Sequence, residues 1–166
     1  KQTLKNDDYE VIVINDASED NTSEVIDIFK NDIVYIENDR NLGLPKSLNK
    51  GIKKARGQFI IRVDADDYVH WDYLKILSMF LQLNHDIDAV CCDYLLVDND
   101  QNNLGQMDSV KNPIGCGIMF RIKDLIDIGL YDPNFEAREE EDLRIRFEKK
   151  YSITRVKLPL YRYRQH

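Results

Sequence analysis

Apolar residues along the chain fall into two rhythms. Short runs rich in β-branched residues, at 10–15, 33–36, 58–63 and 89–97, have the length and make-up of buried strands. Between them, apolar positions recur at helical spacing. Val25, Ile26, Ile28 and Phe29 follow Ser23, and Leu44, Leu48, Ile52 and Ala55 share one face over 44–56, closed by Gly57. A third helix is predicted over 73–83. Segments 16–22, 38–43 and 98–105 are polar and turn-like. Farther on, 114–121 carries Gly115 and Gly117, which suits close backbone approach. A short helix ends at Gly129, a charged helix spans 137–150, and 153–163 is extended. Strands alternating with helices predict an α/β fold with a mostly parallel sheet. Ligands of such sheets bind beyond the carboxyl ends of the strands.

Two acidic groups sit at such ends: Asn15-Asp16, and Asp64-Ala65-Asp66-Asp67. Carboxylates one residue apart on a strand share a face. They can jointly hold a hard cation such as Mg²⁺ or Mn²⁺ whose other ligands are phosphate oxygens and water. The same residues also suit a solvated acidic turn. Composition narrows the choice. The chain has 166 residues, with 23 Lys+Arg against 30 Asp+Glu and a net charge of −7. That balance excludes a general nucleic-acid binder, which needs a positive field, and favours a site that collects cations. Of the three cysteines, Cys91 and Cys92 are adjacent and read as buried strand residues. There is no Cys-x-x-Cys, so neither a disulfide framework nor a zinc site is expected, and a reducing cytosol is the default. The longest apolar stretch, 73–83, is broken by Lys75, Ser78 and Gln82 and is too short to span a bilayer.

A series of segments, in the family's order, resembles the family 2 glycosyltransferases. Val11-Ile-Val-Ile-Asn-Asp-Ala-Ser-Glu-Asp-Asn-Thr22 is similar to their second-strand motif, and Asn41-Leu-Gly43 with Gly57-Gln-Phe-Ile-Ile61 to the segment that follows. Asp64-Ala-Asp-Asp67 resembles their D-x-D-D. Gly115-Cys-Gly-Ile-Met-Phe-Arg121, Ile128-Gly-Leu-Tyr-Asp132 and Arg138-Glu-Glu-Glu-Asp-Leu-Arg-Ile-Arg146 resemble the acceptor-side and E-D-x-D-L-x-x-R segments. Leu158-Pro-Leu-Tyr-Arg-Tyr-Arg-Gln-His166 resembles the final strand.

The resemblance implies a GT-A fold, a three-layer sandwich around a mostly parallel sheet, here one domain over 1–166 that enters the fold after the first strand and helix. It implies an inverting transfer of sugar from a nucleoside-diphosphate sugar, a UDP-sugar being favoured, to a hydroxyl of a glycan or lipid-linked acceptor. The expected setting is bacterial cell-surface polysaccharide synthesis, in the cytoplasm or on the inner face of the plasma membrane. Carried over by position, Asp16, Gly43 and Asp64 bind the nucleotide-sugar, and Asp66 and His166 attend a divalent metal, Mn²⁺ or Mg²⁺. Glu140 is the general base that takes the acceptor proton, although the run Glu139-Glu140-Glu141 leaves its register open by one. Asn15 stands where the family carries an acid. Arg162, Arg164 and Lys46 are further candidates for phosphate contact. Two other readings stay open: a nucleotidyltransferase that makes the nucleotide-sugar, and a glycosyltransferase-like fragment that binds without turnover.

Overall fold

The computed structural model describes residues 1–135 and 137–165; His166 lies outside them. In chain order the elements are β1 (Ile12–Asn15), α1 (Thr22–Asp27), β2 (Val34–Glu37), α2 (Leu44–Lys54), β3 (Phe59–Ile61), β4 (Tyr68–Val69), α3 (Tyr73–Leu83), β5 (Ala89–Val97), β6 (Asn103–Met107), β7 (Ile118–Arg121), α4 (Ile122–Asp127), α5 (Glu139–Glu148) and β8 (Ile153–Arg164). The α/β expectation is met. The sheet is mixed, however, rather than mostly parallel. A parallel pair, β1–β2, stands apart from a sheet of order β3-β7-β5-β8-β4, with β6 added on β5. In that larger sheet only β5–β8 is parallel; β3–β7, β7–β5, β8–β4 and β5–β6 are antiparallel.

The reason lies in the connections. Parallel neighbours need a crossover of about a dozen residues or more, and several links here are too short. The predicted turn at 98–105 is a hairpin instead. Asp98 accepts the amide N–H of Asn102 at 2.8 Å, and Gln101 takes the left-handed conformation with φ 66°. The chain then returns as β6. After β3 the acidic segment turns, and β4 joins β8 rather than its sequence neighbour.

β5 explains why its run reads as continuously apolar. Successive side chains point to opposite faces, and both faces are covered. Ala89 and Cys91 pack with Ile118, Phe120, Leu125, Leu143 and Phe147 on the α4–α5 side. Val90, Cys92 and Tyr94 pack with Met119, Tyr161, Tyr73, Leu77 and Leu81 on the α3 side. Each fully buried leucine contributes roughly 1.5–3 kcal/mol. By contrast, α1 is short, and Val25 within it and Ile28 and Phe29 just after it are exposed. The charged helix starts at Glu139 rather than 137 because Arg138 is left-handed, with φ 63° and ψ 27°, which no helical turn accommodates. No helix among the described residues is long and apolar enough to cross a membrane.

Candidate active site

The acidic turn after β3 is held from both ends by β8. The Tyr161 hydroxyl donates to Asp67 Oδ2 at 2.7 Å and accepts the amide N–H of Asp64 at 3.2 Å, while the Arg164 amide donates to Asp67 Oδ1 at 2.8 Å. Tyr161 is completely buried, which pushes its hydroxyl well above the usual phenol range. Asp67 therefore supports the turn. Burial raises its pKa, the two hydrogen bonds pull it back, and the charges of Asp66 and Asp64 push it up again. Asp66, between them, is exposed.

Asp64 faces inward. Arg62 grips it with Nε to Oδ1 at 2.6 Å and Nη2 to Oδ2 at 3.0 Å, and the Cys116 thiol donates to Oδ2 at 2.9 Å. Burial, with the Asp64 carboxylate beside it, pushes the Cys116 thiol up to about 12. Ligand atoms of Asp64, Asp67 and Cys116 lie within 4.8 Å of one another. The carboxylates of this turn suit a hard divalent cation; a protonated thiol does not, and its proton serves Asp64 instead.

Arg62, Asp64, Gly115, Cys116, Tyr163, Glu139 and Glu140 line an open cavity of about 410 Å³. The first turn of α5 separates the three adjacent glutamates. Glu139 is buried, with Oε1 3.5 Å from Arg62 Nη1. Glu141 points outward to Arg138 at 2.5 Å. Glu140 lines the 410 Å³ cavity and also a second one of about 180 Å³ beside Ile118, Phe120 and Leu143. Asp142 and Arg146 pair along the helix at 2.7 Å, and Arg146 also donates to the carbonyls of Ile128 and Leu130 at 2.8 and 2.7 Å, fixing the loop before α5.

Asp16 does something the sequence does not disclose. Its carboxylate accepts the amides of Leu42 and Gly43, both at 2.9 Å, and the Asn38 side chain at 2.8 Å. Burial pushes its pKa up, but these donors outweigh that and hold it below the usual carboxylate range. Asp16 thereby shapes the 41–43 loop. Gly43 there has φ 84°, a conformation that favours glycine. Asn15, in place of an acid, is buried and satisfied by Ser18, Ser23 and Tyr35. Neither cavity is lined by Asp16 or Gly43. The structure thus brings Asp64 and Glu140 to one cavity, puts Asp66 on the exposed face of the adjoining turn, and sets Asp16 and Gly43 together in a separate loop. Arg164 contributes its amide and Arg162 stacks over Tyr68 at 5.3 Å, while Lys46 is exposed. Arg62, Cys116 and Tyr161 escaped the sequence reading. For Arg62 a signal existed, since it lies in the predicted strand 58–63 two residues before Asp64, a spacing that puts both side chains on one face of extended chain.

With this geometry in hand, comparison with known proteins is informative. The family model described as Glycosyl transferase family 2 matches residues 1–143. The poly(ribitol-phosphate) beta-N-acetylglucosaminyltransferase TarS of Staphylococcus aureus strain Mu50 is 32% identical over 88 residues, covering 51% of this chain and 15% of TarS. The poly-beta-1,6-N-acetyl-D-glucosamine synthase of S. aureus strain COL is 41% identical over 152 residues, covering 78% of this chain and 36% of the synthase. Among solved structures, S. aureus TarS 1-349 in complex with UDP-GlcNAc superposes with a TM-score of 0.85 at 20% identity, over 99% of this chain and 52% of that one. The mannosyltransferase PcManGT from Pyrobaculum calidifontis, in complex with GDP-Man and Mn²⁺, gives 0.75 at 18% identity over 98% and 49%. The structural likenesses establish a shared fold. The chain spans about half or less of the length of each of these relatives.

Proposed function

The chain belongs to glycosyl transferase family 2, and we propose that it serves an inverting transfer of sugar from a UDP-sugar to an acceptor hydroxyl, in the synthesis of a bacterial cell-surface polymer. One observation carries the reading. Of three consecutive glutamates, Glu140 alone is partly exposed and neither buried in an ion pair nor turned outward, and it lines the cavity that Asp64 also lines. A carboxylate there can take the proton of an acceptor hydroxyl as that oxygen attacks the anomeric carbon, opposite the departing diphosphate. Asp64 and the 41–43 loop shaped by Asp16 contribute to holding the nucleotide-sugar. TarS binds UDP-GlcNAc, which favours uridine as the base and a glycan or polymer as the acceptor.

Asp66 would hold a divalent cation, Mn²⁺ or Mg²⁺, which when bound supplies neutralisation of the leaving diphosphate. His166, the other residue assigned to the metal, lies outside the described residues. Arg62 neutralises Asp64 from within, and Asp66 lies on the exposed side of the same turn. The reaction belongs on the cytoplasmic side of the membrane, where nucleotide-sugars are made.

The test is direct. UDP with Mn²⁺ raises the melting temperature, and Asp66→Ala removes the metal-dependent part of that rise. Glu140→Gln keeps UDP binding while UDP release from UDP-GlcNAc drops by roughly 10²-fold or more. Absence of any UDP-induced shift with either metal would overturn the donor-site reading, and unchanged turnover in Glu140→Gln would move the base elsewhere.

A further inference from the structure

Three elements meet under the cavity, and one guanidinium touches all of them. Arg62 holds Asp64 of the acidic turn through Nε and Nη2 at 2.6 and 3.0 Å. Its Nη1 is buried, makes no hydrogen bond, and lies 3.5 Å from Glu139 Oε1 at the start of α5. A methyl group on Gly115 would sit 3.2 Å from that same Nη1 and 3.1 Å from Glu140 Cβ, so the Gly115 backbone is wedged between them.

The start of α5 needs an external hold. Arg138 precedes it in a left-handed conformation and makes no side-chain cap, and Glu139, Glu140, Glu141 and Asp142 crowd its first turn. A helix start without a side-chain cap frays; the helix dipole favours acids there, and Glu141 and Asp142 have Arg138 and Arg146 as partners, but the adjacent carboxylates still repel one another. Glu139 is the one acid of that turn that is buried, and the cation facing it is Arg62.

We propose that Arg62 is a positioning residue for the transfer reaction: by pairing with Glu139 while it grips Asp64, it fixes the first turn of α5 so that Glu140 is held over the cavity next to Asp64. The inference rests on the reading of that cavity as the site of sugar transfer. A lysine cannot substitute, because it lacks the planar fork that meets both Asp64 oxygens and still presents a third nitrogen to Glu139.

The test compares the protein with Glu139→Gln, which keeps the shape and removes the charge, with Arg62→Gln, and with the double variant. Three quantities are read: amide hydrogen exchange over residues 139–143, UDP affinity with Mn²⁺, and UDP release from UDP-GlcNAc. Glu139→Gln is expected to speed exchange over 139–143 and to lower kcat by about tenfold or more, with the KM for UDP-GlcNAc and the affinity for UDP nearly unchanged. The double variant is expected to lose no more kcat than Arg62→Gln alone, because the two residues act as one unit. Unchanged exchange, kcat losses that multiply in the double variant, or a loss carried by KM alone overturns the proposal. If Arg62→Gln fails to fold, Glu139→Gln decides alone. If the wild-type protein neither binds UDP nor releases it, the sugar-transfer reading fails, while exchange in Glu139→Gln still shows whether the tie holds α5.

Discussion

Gly115→Ala adds a single methyl group where the cavity lining brings Arg62 and Glu140 against the Gly115 backbone. The new Cβ would lie 3.1 Å from Glu140 Cβ, 3.2 Å from Glu140 Cγ and 3.2 Å from Arg62 Nη1. Carbon atoms rest comfortably at about 3.5–4.0 Å, so something yields by roughly 0.5 Å. Arg62 is anchored at two points on Asp64, and therefore the displacement falls on Glu140. Overpacking of this kind costs about 1–3 kcal/mol. Taking about 1 kcal/mol, the melting midpoint of a chain this size drops by about 2–4 °C. A 1 Å misplacement at a reacting group costs about 10²-fold in rate, so a shift of half that size implies a loss of roughly tenfold in kcat. The control is two residues away. Gly117 has φ 77°, and a methyl there would meet nothing closer than 3.9 Å. Gly117→Ala thus introduces backbone strain of about 1–2 kcal/mol without pushing Glu140. Thermal melting and UDP release from UDP-GlcNAc separate the two variants: Gly115→Ala loses rate beyond its loss of stability, while Gly117→Ala loses stability and keeps rate. A Gly115→Ala protein that turns over at the wild-type rate refutes the placement of Glu140 at the reacting atoms.

Three further outcomes follow from the wiring of the site. Tyr161→Phe removes the hydroxyl that serves both Asp67 and the Asp64 amide; it destabilises by about 1–3 kcal/mol and weakens Mn²⁺-dependent UDP binding, and calorimetric affinity equal to wild type would contradict the clamp. All three cysteines are buried, and the thiols of Cys92 and Cys116 are each pushed up to about 12. Iodoacetamide at pH 8 should therefore label native protein very slowly and all three thiols after unfolding, whereas a rapid native thiol would show that the cavity floor opens. Because Asp16 has its pKa lowered in the folded protein, its contribution is fully present above the usual carboxylate range, about pH 4, and is lost as pH falls through the depressed value. Denaturation of Asp16→Asn against wild type should show a stability gap at pH 7 that narrows under acid, and a gap that widened would reverse the assignment.

The acidic groups were legible because they sit at predicted strand ends and at the start of a charged helix, while the roles proposed for them come from the family resemblance. Asp64 and Glu140 stand in recognisable motifs, and β5 is recognisable as a buried strand. The wiring was less legible. Which of Glu139, Glu140 and Glu141 is buried against Arg62, which stays partly exposed in the cavity and which turns outward depends on where α5 begins, since each residue turns the helix by about 100°. That start is set by the left-handed Arg138, which carries no glycine to announce it. Strand direction was misread for a different reason: alternation of strands and helices suggests crossovers, while the links at 62–67 and 98–102 are too short to make them. Asp16 is carried over as a nucleotide-binding residue by the family resemblance alone; that its oxygens also accept the amides of the 41–43 loop had no signal in the sequence. Hydrogen bonds between residues 26 and 27 positions apart leave no periodic trace.

The clamp on the acidic turn has a consequence for how the protein comes into being. Asp64 and Asp67 are joined to Tyr161 and Arg164 across sequence separations of 94 and 97 residues. Contacts that distant form late and slowly, because a long loop must close before they stabilise anything. On a ribosome the turn emerges 97 residues before the partner that clamps it and stays unclamped until residue 164 has followed. The shape of the acidic turn is therefore completed in one step with the docking of β8 on β5, and whatever the turn holds must wait for that strand.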